Sequence, residues 1–178
     1  MATLIDSYSE TNQNDYFHLG YLSRTRVGQC FTSSITTFLS NCSFNLEKTG
    51  SATGNITAQL YAMTGVYGTS GKPTGLALAT SDTVDVSTIS STNFVLTTFN
   101  FTGANQIIIT PGYYCIAVDY PGANASNHLK VGEDSSSPTA SGNGFLYTGT
   151  YTATPVDDVC FYIYGNNTLT NSNFLAFM

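Results

Sequence analysis

No stretch of this 178-residue chain sustains a 3.6-residue apolar period; its apolar residues instead alternate with polar ones in short runs cut by Gly, Pro, Asn and Ser. A side chain every second residue on one face is the signature of a half-buried strand, so the chain is restricted to β architectures. Cys42, Phe44 and Leu46 alternate with Ser43, Asn45 and Glu47, and Ile56, Ala58, Leu60 and Ala62 alternate with Asn55, Thr57, Gln59 and Tyr61. The glycine-punctuated segment Lys48 to Gly54 lies between these runs and predicts a hairpin. Further strands are expected at 27–32, 84–86, 94–101, 107–109, 112–120, 129–131, 145–148 and 159–163. About nine or ten short strands with turn signals between them are what an antiparallel β-sandwich of the jelly-roll kind requires. Between Met63 and Thr80, four glycines and Pro73 predict a long surface loop carrying Tyr67 and Lys72.

The two ends read differently. Residues 1–22 are polar, Asn-rich and without sustained period, and predict an extended arm preceding a domain at 23–165. Residues 166–178 form a tail whose polar spacer ends in Phe174-Leu-Ala-Phe-Met178. Apolar groups at such an end need cover, so Tyr8, Tyr16 and Phe17 of the arm and Phe174, Leu175 and Phe177 of the tail are expected to contact other subunits, and deleting both ends should leave a folded domain.

Hydrophobic residues make up 42% of the chain and charged ones 9%, with 12 Tyr and 11 Phe, enough apolar area for one core rather than a disordered chain. A net charge of −6 with five basic residues argues against a nucleic-acid partner, which requires clustered Lys and Arg. The opening residues lack a basic n-region and an apolar h-region, so synthesis in a cytoplasm without a secretory signal is expected, and no apolar run is long enough to span a membrane. Cys30, Cys42, Cys115 and Cys160 form no Cys-x-x-Cys motif; buried free thiols are expected, with a disulfide left open and unassigned.

Catalysis finds few candidates. His18 and His128 are the only histidines, neither lies beside a nucleophile elbow, and surface positions are expected for both. Glu133, Asp134, Asp157 and Asp158 lie in or beside loops; as a carboxylate pair for glycoside hydrolysis they have no readable separation. Asp157 and Asp158 are the candidate ligands for a structural calcium ion, since hard cations take clustered carboxylate and carbonyl oxygens; no other cofactor is expected. Asn-x-Ser/Thr sequons, as at Asn55 and Asn124, are frequent by chance in so Ser- and Thr-rich a chain. Tyr61, Tyr67, Tyr147 and Tyr151 are the candidate ligand-binding residues, because Tyr rings stack on sugar faces and anchor protein interfaces.

The succession Arg26-Val-Gly-Gln-Cys-Phe31, Phe44 to Thr57 (Phe-Asn-Leu-Glu-Lys-Thr-Gly-Ser-Ala-Thr-Gly-Asn-Ile-Thr), Gly71 to Ser81 (Gly-Lys-Pro-Thr-Gly-Leu-Ala-Leu-Ala-Thr-Ser), Pro111-Gly-Tyr-Tyr-Cys-Ile-Ala-Val118, Asp134-Ser-Ser-Ser-Pro138 and Asp157-Asp-Val-Cys-Phe-Tyr-Ile-Tyr164 resembles jelly-roll sandwich modules of phage structural proteins and of bacterial surface proteins of the choice-of-anchor type. The resemblance covers about residues 22–165. It implies that the Gly-Gln-x-Phe strand opens the sandwich and the Phe-x-Ile-Tyr strand closes it, bringing Val27–Phe31 near Val159–Ile163, and it carries over no catalytic residues. The function it implies is a non-enzymatic virion surface protein of a bacteriophage, such as a capsid decoration, head fibre or receptor-binding module. Such a protein would be made in the host cytoplasm and assembled with other virion proteins as a homo-oligomer, a trimer being one closed form, with a host-surface glycan as ligand. The alternative is a carbohydrate-binding module of a bacterial surface protein.

Overall fold

A computed structural model describes residues 2–21, 23–122, 124–136 and 142–166, in which strands form two antiparallel sheets facing one another and no α-helix occurs. The first sheet contains β1 (Ala2–Tyr8), β2 (Asp15–Leu19), β4 (Thr37–Thr49), β8 (Val95–Asn100), β9 (Ile108–Ile109), β11 (His128–Asp134), β14 (Asp158–Val159) and β15 (Phe161–Asn166). The second contains β3 (Arg26–Ser33), β5 (Asn55–Thr64), β6 (Lys72–Thr80), β10 (Gly112–Asp119), β12 (Gly144–Tyr147) and β13 (Tyr151–Thr154), with β7 (Val84–Asp85) against β5. Fifteen strand segments thus lie among the described residues, more than the nine or ten expected, because some are two-residue pieces and two come from the expected arm.

Alternation decides the faces. On β3, Val27 and Phe31 point between the sheets and join a core with Phe44, Leu46, Leu60, Phe99, Ile116, Val118 and Phe161. Arg26, Gly28 and Cys30 therefore point outward, and Cys30, Tyr61, Cys115, Ala117 and Phe145 form a second, smaller apolar cluster on the outer face of the second sheet. Gly28 makes that cluster possible: a Cβ there would stand 2.0 Å from the Ile116 carbonyl oxygen and 2.7 Å from the Phe145 ring, which lies across the space.

Three expectations are corrected. Residues 2–19 are not an arm outside the domain: β1 pairs with β15 and β2 with β11, and Tyr8, Phe17 and Leu19 are buried in the main core. Tyr8 and Phe17 are therefore internal contacts, with the Tyr8 hydroxyl donating to Asp134 Oδ2 at 2.6 Å, while Tyr16 is exposed and packs against His18 and Phe94. The runs ending at Glu47 and starting at Asn55 are not a hairpin, since β4 belongs to the first sheet and β5 to the second, so the glycine turn carries the chain across the sandwich. Residues 72–80 are not loop but an edge strand, where Pro73 is tolerated because no ladder needs its missing N–H.

β3 and β15 come near each other across the core rather than side by side: the Phe31 and Phe161 rings are 6.2 Å apart, and the Val159 N–H donates to Gln29 Oε1 at 3.0 Å. The tail from residue 167, with Phe174, Leu175 and Phe177, lies outside the described residues. Among the described residues no helix is long and apolar enough to cross a membrane.

Candidate functional site

The edge strand shapes a groove on the outer face of the second sheet. Ala62 pairs with Thr74 and Leu60 with Ala79, leaving residues 75–78 to bulge outward opposite Tyr61. Gly75 begins the bulge with a φ of +71°, a left-handed conformation that a side chain disfavours. The bulge leaves Leu76 90% exposed and raises Gly75, Leu76 and Ala77 as one wall of a groove of about 320 Å³. Its other walls are Tyr61, Tyr147 and Tyr151, with Arg26 and Gln59 between.

Register explains why these residues meet. Tyr151 lies opposite Tyr147, Tyr147 opposite Arg26 and Arg26 opposite Asp119, so one cross-strand row presents aromatic, cationic and anionic groups in sequence. The Tyr147 and Tyr151 rings are 4.7 Å apart at 54°, and Tyr151 also meets Tyr61 edge-on at 5.8 Å and Phe145 at 5.9 Å. Arg26 lies over the Tyr147 ring at 4.8 Å, its Nε 2.9 Å from Asp119 Oδ1 and donating to Gln59 Oε1 at 3.2 Å. Gln59 Nε2 donates to Asp119 Oδ2 at 3.4 Å, and the Tyr61 hydroxyl donates to Gln59 Oε1.

The charges in this network are held unequally. Burial is the largest single influence on the Arg26 cation and opposes it, but Asp119 together with the Tyr61, Tyr151 and Tyr147 hydroxyls outweighs it and holds the guanidinium above its ordinary pKa. Burial raises the Asp119 carboxyl, and Arg26 offsets this only in part. Burial, reinforced by Tyr151, also pushes the Tyr61 phenol up, keeping it a neutral donor. The groove thus offers aromatic faces, an aliphatic rim and a fixed set of donors and acceptors with no net charge from its ion pair.

Three of the four sequence-chosen tyrosines, Tyr61, Tyr147 and Tyr151, come together here. Tyr61 is buried and forms wall rather than an exposed stacking face. Tyr67 is elsewhere on the face, its ring 4.8 Å from that of the exposed Tyr113. Sequence reading missed Arg26, Asp119 and Gln59, which lie far apart in the chain and share a site only through strand register. The hydrophobic run at Gly75-Leu-Ala-Leu78 was the available signal for the bulge.

The remaining candidates do not line this groove. Asp158 is buried and accepts from Gln29 Nε2 across the core, while Asp157 is partly exposed. Among the described residues no group of three or more His, Cys, Asp or Glu is placed to hold a metal ion. His18 Nδ1 lies 2.8 Å from His128 Nε2, with Tyr21 stacked on His128. His128 is buried, not on the surface as expected, and burial, followed by the nearby His128, Arg24 and Lys130, lowers the His18 pKa. A second concavity, of about 360 Å³, is lined by Gly20, Tyr21, Ser23, Thr25, Pro121, Asn124 and Ala125, with one aromatic ring and no charged group. The chain matches no family model and no curated protein.

Proposed function

We propose that the protein is a non-enzymatic recognition module that binds a carbohydrate in the groove between the β6 bulge and Tyr147 and Tyr151. The observation that carries this reading is the row Tyr151, Tyr147, Arg26, Asp119 with Gln59 alongside: pyranose C–H faces pack on aromatic rings, while their hydroxyls need paired donors and acceptors. The open, shallow form of the groove suits one or two sugar residues of a longer chain rather than an enclosed substrate. The Arg26–Asp119 pairing favours a neutral sugar over a strongly anionic one, because the cation is already matched.

The setting we propose is the surface of a phage virion, where such a module contacts host-surface glycan; the resemblance in the sequence supports it. A carbohydrate-binding module of a bacterial surface protein would use the same groove, and mass-spectrometric detection of the chain in purified particles separates the two settings. The binding itself is tested on a glycan array with the full chain and with Tyr147→Ala, Tyr151→Ala and Arg26→Ala. Loss of a hydrogen-bonding or stacking anchor is expected to weaken binding about tenfold or more, with circular dichroism unchanged. A full chain that binds no glycan, or variants that bind as well as it does, would overturn the proposal.

A further inference from the structure

We propose that Cys30 and Cys115 are joined by a cross-strand disulfide when the chain folds in the presence of a disulfide oxidant. Cys30 on β3 and Cys115 on β10 are direct antiparallel partners, and their sulfurs are 3.0 Å apart. The Cys30 N–H donates away from β10, to the Asn143 carbonyl at 2.9 Å. Since a residue's N–H and C=O in a strand point to the same side, Cys30 and Cys115 form a non-hydrogen-bonded pair. In such pairs the Cα atoms approach to about 4.5 Å and the side chains are closest, within the range a disulfide bridges without moving the backbone.

The surroundings favour the bond once it is made and restrict when it can be made. Both sulfurs are buried in the outer-face cluster beneath Tyr61, Phe145, Met63, Tyr67 and Tyr151. Gly71 crosses so near that a Cβ there would stand 3.0 Å from the Cys30 sulfur. Burial, with Cys30 adjoining, also raises the Cys115 thiol, so Cys115 in the folded chain supplies little thiolate. Exchange therefore belongs to the stage when β3 and β10 have paired but the aromatic cover has not closed. One cysteine thiolate attacks the S–S bond of glutathione disulfide, forming a mixed disulfide and releasing one glutathione thiolate. The second cysteine thiolate then attacks the mixed disulfide, forming the Cys30–Cys115 bond and releasing a second glutathione. The two cysteines lose two protons and two electrons, and glutathione disulfide gains them. The bond would tie the two strands that underlie the tyrosine groove.

The test is refolding of the full chain from denaturant in a mixture of reduced and oxidised glutathione, followed by alkylation under denaturing conditions and peptide mapping. Before alkylation the expected product is about 2 Da lighter than the reduced chain; after alkylation the map should show Cys30 linked to Cys115, with Cys42 and Cys160 alkylated. Against the reduced chain it should unfold at a temperature about 5–15 °C higher, as closure of a loop of this length predicts. Four alkylated cysteines, or a bond involving Cys42 or Cys160, would overturn the proposal. The map is read on the wild-type chain, so it does not depend on whether a Cys30→Ser variant folds.

Discussion

Glu133 and Asp134 are neighbours on β11 with opposite electrostatic surroundings. Asp134 accepts from Tyr8, Ser136 and Asn14, and these bonds, led by the Ser136 hydroxyl, hold its carboxyl down to about 2. It favours the fold above its ordinary value of 3.8, an advantage lost as pH falls toward 2. Glu133 is buried with Oε2 unpartnered, and burial, followed by Asp157 and Asp15, pushes its carboxyl up to about 8 against the pull of Arg24. The folded chain therefore keeps this proton to higher pH than the unfolded chain does, so stability is full below 4.5 and declines as pH rises toward 8. Glu133→Gln removes the titration. In denaturant melts at pH 5 and pH 8, the variant should gain on the wild type as pH rises; equal differences at both pH values would show that Glu133 titrates normally.

Among the elements, β1 and β2 differ most from their reading in the sequence. Leu19 is fully buried against the core and Phe17 nearly so, which predicts that removing residues 2–19 exposes the first sheet and leaves a chain without a cooperative thermal transition. The milder Leu19→Ala should cost about 2–5 kcal/mol in denaturant melts. A truncated chain melting like the full one would restore the view of a separate arm. The misreading has a physical source, since these strands are five to seven residues long and lie among Asn, Ser and Asp, too short for alternation to stand out. The same limit explains the hairpin at 48–54. Cys42, Phe44 and Leu46 and Ile56, Ala58 and Leu60 reveal which side of each strand is buried, and that side is satisfied equally by a neighbour in the same sheet or by the facing sheet. The strand at 112–120 was legible because its apolar run is strong and bounded by turns, and that at 129–131 because apolar and polar residues alternate in it. Arg26, Gln59 and Asp119 were not legible as a site, because register is a property of pairs of strands and not of either alone.

At the scale of the whole molecule, the main core is closed between the two sheets, and the groove proposed for recognition lies on the outer face of the second sheet. An apolar cluster on that face supports the tyrosines from below, and the β6 bulge closes the groove from the side. Rigid strands on three sides imply that the groove is formed before any ligand arrives, so binding should leave the fold and the core unchanged. The most direct measurement is an amide chemical-shift titration of the isotopically labelled full chain with the oligosaccharide selected on the array. The account predicts shifts concentrated at Arg26, Gln59, Gly75, Leu76, Tyr147 and Tyr151. Shifts gathered instead around Tyr21 and Asn124, or absent at saturating sugar, would contradict it.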